Sequence, residues 1–290
     1  MVFSTSVSDL IRQRYSCRTY HDQAISPDNL KALEAFLTDC RVSPFNNAIR
    51  YKITAVSDED NQTVKNLGTY GFIKNPAGYL IGVIQDHPGA LEDFGYQMER
   101  IILRATELGI GTCWLGGTFT KSRFAALMNL QEGEYIPSVI SLGYPTDQRV
   151  WVDRISRIYA GADRRLPWEN LFFTGSFNHP LPIEQAAEYL EPLHLTRLAP
   201  SASNKQPWRI LNQGNQWHFY LERSKNYPSP LFNFLLKLAD LQRIDLGIAM
   251  AHFELSVREA GLSGEWIQAD PVLPLINDQT EYIVTWINEN

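Results

Sequence analysis

The chain lacks most of the features that would fix a function class quickly. Its three cysteines, Cys17, Cys40 and Cys113, lie far apart with no CxxC. An odd, scattered set fits a reduced interior better than a disulfide framework. No apolar run reaches the roughly 18 residues of a membrane span. The N-terminus MVFSTSVSDLIRQRY has no signal-peptide core, so a cytoplasmic location is expected. Lysine and arginine form no run and the net charge is −6, which argues against a nucleic-acid face. The six histidines never fall in HExxH or another metal spacing, so a zinc hydrolase is not expected. There is no P-loop and no GxSxG. The segment GIGTCWLGG approaches GxGxxG, but Trp114 stands where the third glycine belongs and the segment follows a helical pattern. With protein-borne catalytic motifs missing, attention moves to a bound cofactor.

What is present is an ordinary globular composition, 44% apolar and 20% charged over 290 residues, enough for one large domain or two small ones. The chain also echoes itself. EDFGYQMERIILRATELGIGTCW, Glu92 to Trp114, lies over IDLGIAMAHFELSVREAGLSGEW, Ile244 to Trp266, without a gap. Asp93/Asp245, Gly95/Gly247, Met98/Met250, Leu103/Leu255, Glu107/Glu259, Gly109/Gly261 and Trp114/Trp266 match at one constant offset. Both copies read as amphipathic helices, with Phe94, Met98, Ile101, Ala105 and Leu108 at steps of three or four. Gly109 and Gly261 stand where a helix end favours positive φ. A weaker echo pairs CRVSPFNNAIRYKI, Cys40 to Ile53, with LAPSASNKQPWRIL, Leu198 to Leu211.

The repeats imply a first unit over 1–160, a crossover linker over 161–179 and an abbreviated second unit over 180–290. The first unit reads as a helix opened by Ser26-Pro27, strands Tyr51–Val56 and Tyr79–Ile84, the long helix, and strand Ser138–Leu142. The second reads as helix Ile183–Tyr189, strand Trp217–Leu221, helices, and strand Tyr282–Ile287. Helices interleaved with strands without regular alternation suggest an α+β fold. Two corresponding halves suggest an intramolecular version of a two-fold dimer, and hence a monomer.

In RYSCRTY, Arg14, Ser16 and Arg18 alternate, so in an extended backbone they share a side. Two guanidinium forks and a hydroxyl suit a phosphate monoester dianion. The same pattern is also that of a solvated cationic edge.

RYSCRTYHDQAISPDNLKALEAF resembles the opening of the nitroreductase family. APSASNKQPWRI is similar to that family's A-P-S-x-x-N-x-Q-P-W loop, and ATELGIGTCWLGGTF with IPSVISLGYPTDQ resembles its later helix–turn–strand block. RRLPWENLFF resembles its basic, proline-containing tail. The resemblance spans most of the chain and implies an FMN-dependent enzyme with NAD(P)H as co-substrate. It also implies a small organic electron acceptor, such as a nitroaromatic or a quinone, in ping-pong turnover that needs no protein acid or base.

The family's subunits each carry every block and share FMN across a dimer interface. Here the first copy keeps the Arg/Ser segment and WLGG but has SPFNN for the loop, while the second keeps APSASNKQPW with no RxSxR before it. Complementary losses leave one complete site and one decayed site. By the resemblance, Arg14, Ser16 and Arg18 would hold the FMN phosphate, helped by Arg165 or its neighbour Arg164. Leu115, Gly116 and Gly117 would bring the turn to the flavin edge, where glycine permits close approach. Pro200, Ser201 and Asn204 would cover the ring, with Gln206 and Trp208 bracing the loop. Lys74 reads either as a cation near the flavin or as a surface lysine. A non-catalytic FMN-binding protein for sensing or storage, and a structural pseudo-dimer without cofactor, are the competing readings.

Overall fold

The polar side of the longest repeat is almost entirely enclosed by protein. The computed structural model describes residues 3–40, 42–55, 73–117, 119, 121–146, 164–225 and 239–289. Within them the helices are α1 (Val7–Gln13), α2 (Pro27–Asp39), α3 (Ala90–Glu107), α4 (Lys121–Met128), α5 (Leu190–Arg197) and α6 (Leu241–Glu259). The first sheet contains β1 (Arg50–Ala55), β2 (Gly78–Gln85), β3 (Gly111–Leu115), β4 (Glu134–Tyr135) and β5 (Val139–Gly143). It runs in the order β1-β2-β5-β3, with β4 beside β2. The second sheet contains β6 (Phe172–Thr174), β7 (Ser176–Pro180), β8 (Trp208–Gln213), β9 (Gln216–Glu222), β10 (Gly264–Ile267) and β11 (Thr280–Asn288). Its order is β10-β11-β9-β8-β6-β7. The fold is mixed α+β, as expected.

The order β1-β2-β5-β3 recurs as β8-β9-β11-β10, and both runs are antiparallel throughout. α3 lies between β2 and β3 in the chain, and α6 between β9 and β10. One core joins the halves: Leu80, Ile140 and Leu142 of the first sheet share it with Trp208, Ile210, Phe219 and Trp286 of the second. The other face of the first sheet packs under α4, where Tyr79, Ile81 and Val83 meet Phe124 and Met128.

Local chemistry explains the helix ends. The Ser26 hydroxyl accepts from Asn29 N at 3.3 Å and Pro27 sits at the first helical position, where a missing N–H removes no helical bond. Gly109 and Gly261 follow α3 and α6 at φ of 72° and 79°.

α3 and α6 pack against one another at backbone distance. A β-carbon on Gly95 would stand 2.1 Å from Ile244 O, and one on Gly247 would stand 1.9 Å from Glu92 O. The apolar stripe of α3 faces the sheet, so the buried Glu92, Asp93, Gln97, Glu99 and Arg100 face protein instead of solvent. Glu92 pairs with Arg243, and Tyr96 Oη donates to Glu254 at 2.6 Å. Asp93 accepts from Phe45 N at 3.0 Å and Asn47 N at 2.8 Å; Asp245 accepts from Ala202 N at 2.9 Å. The matched carboxylates thus cap the two echoed loops.

Glu107 and Glu259 tie down the N-terminal segment. Glu107 accepts from Ser4 N and Thr5 N at 2.7 Å; Glu259 accepts from Val7 N at 2.5 Å and Ser8 N at 2.9 Å, at the start of α1. Burial raises the Glu107 carboxyl, but the donors from Ser4, Thr5 and Arg104 outweigh it and hold the pKa at about 2. A folded pKa below the unfolded value of about 4.3 stabilises the fold above that pH, and the contribution is lost as pH falls towards 2. Glu107→Gln should therefore lower the urea midpoint at pH 7 and flatten its decline between about pH 4 and 2. Parallel midpoint–pH curves for variant and wild type would contradict this.

Three sequence expectations need correction. Ile183–Tyr189 is not a helix but two 3₁₀ turns, Ile183–Gln185 and Ala187–Tyr189, with Ala187 at φ 47°. The α-helix starts at Leu190 because Pro192, which has no N–H, is tolerated only in a first turn. Gly111–Leu115, read as part of a turn, is strand β3, paired with β5. Residues 168–179, read as crossover, form with Pro180 a 3₁₀ turn and the β6–β7 hairpin, with Gly175 at φ 67° in its turn and β6 parallel to β8. The glycine and proline there punctuate a hairpin rather than a linker. Val56 and residues 161–163 of the expected strand and linker lie outside the described residues.

Candidate active site

A cleft of about 570 Å³ opens between the segment after α1, the end of β3, the loop before β8 and one side of α6. That size falls within the range typical of small-molecule and cofactor sites. The first half supplies Arg14, Ser16 and Arg18 to its wall, together with Gly116 and Gly117. Arg165, Pro200, Ser201 and Asn204 come from beyond the first sheet. Residues far apart in sequence thus share one cavity.

The first wall is extended because α1 ends at Gln13 and Arg14 turns to φ −60°, ψ 129°. Ser16 bridges Thr112 in parallel, Cys17 N donates to Thr112 O at 2.8 Å, and Lys74 N donates to Arg18 O at 2.8 Å. This strand-like course buries Cys17 under the sheet and leaves Arg14, Ser16 and Arg18 on the cleft. Alternation is not strict, since Tyr15 also borders the cleft. The Arg14 side chain is only 8% exposed, and its Nε lies 3.5 Å from Glu99 Oε1.

The opposite wall is braced by backbone in unusual conformations. Ser203, Asn204 and Gln206 have φ of 50°, 53° and 50°. Arg165 Nη1 donates to Asn204 Oδ1 at 2.7 Å and Nη2 to Leu198 O at 2.9 Å, while Asn204 Nδ2 donates to Arg164 O at 2.6 Å. Gln206 is buried, accepts from Leu166 N at 2.9 Å and donates from its backbone N to Ser201 Oγ at 2.9 Å. It braces the loop, and Trp208 is a fully buried core anchor. Arg165 and Asn204 are engaged with each other, so their first role is to tie the loop to the segment that leads into the 3₁₀ turn at Trp168.

Leu115 does not join the cleft. Its side chain is buried in the cluster under α4, and its carbonyl accepts from Ser138 Oγ at 2.9 Å. As a β3 residue next to the turn, it points to the opposite side of the sheet from the cavity. Lys74 is exposed and is absent from the cleft wall. Sequence reasoning missed Leu241, Ile244, Asp245 and Ile248 of α6, which line the cleft at steps of three or four. The helical spacing was readable, but not which side of α6 would face a cavity. Burial pushes the Asp245 carboxyl well above its usual range, against the lowering effect of Ala202 N–H.

A β-carbon on Gly116 would stand 2.6 Å from a Leu241 methyl, whereas one on Gly117 would meet nothing within 4 Å. Gly116→Ala should displace Leu241 towards the cleft. The expected stability loss is under about 1 kcal/mol, because a terminal methyl can move, with weaker ligand uptake. A variant that binds like wild type in a flavin titration would contradict this placement.

The cleft draws on blocks at both ends of the chain, and so does the match to known proteins. A family model described as "Putative TM nitroreductase" matches residues 6–257. The chain belongs to this nitroreductase family. A relative from Archaeoglobus fulgidus, named "Putative NADH dehydrogenase/NAD(P)H nitroreductase", is 28% identical over 173 residues, covering 55% of this chain and 97% of that protein. The crystal structure of a "putative nitroreductase" from Thermotoga maritima aligns over 98% of this chain and 94% of its own at 20% identity, with a TM-score of 0.61. A Desulfitobacterium hafniense nitroreductase solved with bound FMN covers 51% of this chain and 93% of its own at 20% identity, with a TM-score of 0.41. Among the described residues no helix is long and apolar enough to cross a membrane, and no cluster of His, Cys, Asp or Glu could hold a metal.

Proposed function

We propose that the chain is an FMN-dependent NAD(P)H oxidoreductase of nitroreductase type, acting on a small organic acceptor such as a nitroaromatic or a quinone. The observation that carries this reading is the shared cleft, with Arg14, Ser16 and Arg18 on one wall and Pro200, Ser201 and Asn204 on the other.

The residues fit the cofactor. A phosphate dianion calls for charged donors, and Arg14 and Arg18 bring two guanidinium groups to the same cleft wall. Gly117 leaves open space where a side chain would stand, so the backbone can approach a ring. Leu241, Ile244 and Ile248 give an apolar wall suited to a flat aromatic system. When bound, FMN would accept hydride from reduced nicotinamide and deliver it to the acceptor. The protein's part is binding and orientation: Arg14, Ser16 and Arg18 hold the phosphate, the Gly116–Gly117 turn presents backbone to the ring edge, and the loop carrying Pro200–Asn204 covers the ring. No side chain is assigned as acid or base.

The architecture behind this is a fused dimer, with units over 1–160 and 180–290 and one site retained. Its support is reciprocity. Gly95 meets Ile244 while Gly247 meets Glu92, and these four positions correspond in the sequence echo. Such mutual contact is the mark of a two-fold interface. The matched strand orders and the matched caps at Asp93/Asp245 and Glu107/Glu259 follow the same rule. This architecture leads us to expect a monomer, which an obligate homodimer in sedimentation would oppose; the cytoplasmic location is expected from the sequence alone.

The purified protein should show flavin absorbance, or acquire it with FMN. It should bleach on addition of NADH or NADPH and recover with a quinone. A bound flavin that resists reduction would favour a storage or sensing role, and no uptake at all would favour a purely structural chain.

A further inference from the structure

Glu99 and His252 are both 0% exposed, and they sit between the two long helices, outside every segment that suggested flavin binding. Glu99 Oε2 accepts from Trp114 Nε1 at 3.0 Å, while Oε1 lies 3.1 Å from His252 Nε2 and 3.5 Å from Arg14 Nε. His252 Nδ1 lies 3.0 Å from Leu195 O. A carbonyl can only accept, so Nδ1 carries a proton, and a second proton must lie between Nε2 and the carboxylate. The His252–Glu99 pair therefore carries no net charge, however that proton is shared.

We propose that this buried pair is a positioning device for Arg14 at the phosphate end of the cleft. Glu99 fixes the guanidinium from behind, His252 and Trp114 fix Glu99, and the pair's neutrality leaves the positive charge of Arg14 available to a phosphate. A buried carboxylate is tolerated only when paired and hydrogen-bonded, so a group this enclosed has little freedom to let Arg14 turn. The repeat gives independent support. Positions that hold the fold match between α3 and α6, as in Asp93/Asp245 and Glu107/Glu259. By the same alignment Glu99 corresponds to Ala251, and His252 to Arg100. The device thus exists on one side of the helix pair only, the side bearing Arg14.

This inference rests on the FMN reading, and comparison of FMN with riboflavin, which lacks the phosphate, separates the two. Binding of each is measured by flavin fluorescence titration in wild type, Glu99→Gln and His252→Gln, with thermal unfolding alongside. The expected result is about a tenfold loss for FMN in either variant and under about twofold for riboflavin, in the range of couplings between contacting residues. Equal losses for both ligands, or none for FMN, would overturn the proposal. If both variants fail to fold, Trp114→Phe removes the indole donor to Glu99; because Trp114 also borders the cleft, riboflavin binding reads that packing change separately, so a smaller FMN-selective loss is expected and an unselective one overturns the proposal. A wild-type chain that binds neither ligand would instead remove the FMN reading, and the inference with it.

Discussion

Gly247→Ala should lower the stability of the chain by about 3 kcal/mol, the upper end of ordinary overpacking. The added carbon would stand 1.9 Å from Glu92 O and 2.9 Å from Tyr96 N, and backbone inside a packed helix cannot step aside as a side chain can. Gly95→Ala meets Ile244 O at 2.1 Å and should behave alike. Gly117→Ala, with nothing within 4 Å and an ordinary φ, is the control, expected within about 0.5 kcal/mol of wild type. Urea denaturation of the three variants reads the difference directly. If Gly95→Ala and Gly247→Ala both resemble the control, the helices do not meet at backbone distance and the reciprocal interface is wrong.

Arg14→Ala and Arg18→Ala should each weaken FMN binding about 10- to 100-fold, because a charged hydrogen bond to a partly buried group is worth about 1.5–3 kcal/mol. The two variants should differ in stability. The Arg14 side chain is only 8% exposed beside the enclosed Glu99, so its truncation also removes buried packing there, whereas Arg18 has a separate place on the extended segment. Fluorescence titration with FMN checks the first statement and thermal unfolding the second. Unchanged affinity in both variants would retire the phosphate assignment and leave the arginines as a solvated edge.

Much of this was legible in the chain, for identifiable reasons. α3 announced itself through Phe94, Met98, Ile101 and Ala105, and both long helices end at the glycines expected to take positive φ. Arg14, Ser16 and Arg18 could be placed on one side because a two-residue period needs only an extended backbone. Trp208 was readable as core, and Gln206 as a brace. What escaped depends on tertiary contact. Gly111–Leu115 has no alternation of its own and becomes a strand because β5 pairs along it. The hairpin at Phe172–Pro180 gains its place through parallel pairing of β6 with β8, which no local pattern announces. Leu115 was grouped with the glycines beside it, although its side chain points to the opposite face. That the polar residues of α3 meet protein was not readable, because a single helix shows its stripe but not its neighbours. The α6 wall of the cleft stayed hidden for the same reason.

The central claim is that one flavin is held by the front of the chain at its phosphate and by the back of the chain at its ring. A crystal structure of the chain grown with FMN tests it most directly. The account predicts one flavin per chain, its phosphate within hydrogen-bond distance of Arg14, Ser16 and Arg18 and its ring against the loop carrying Pro200, Ser201 and Asn204. A flavin bound elsewhere, or one contacted by a single half of the chain, would contradict it.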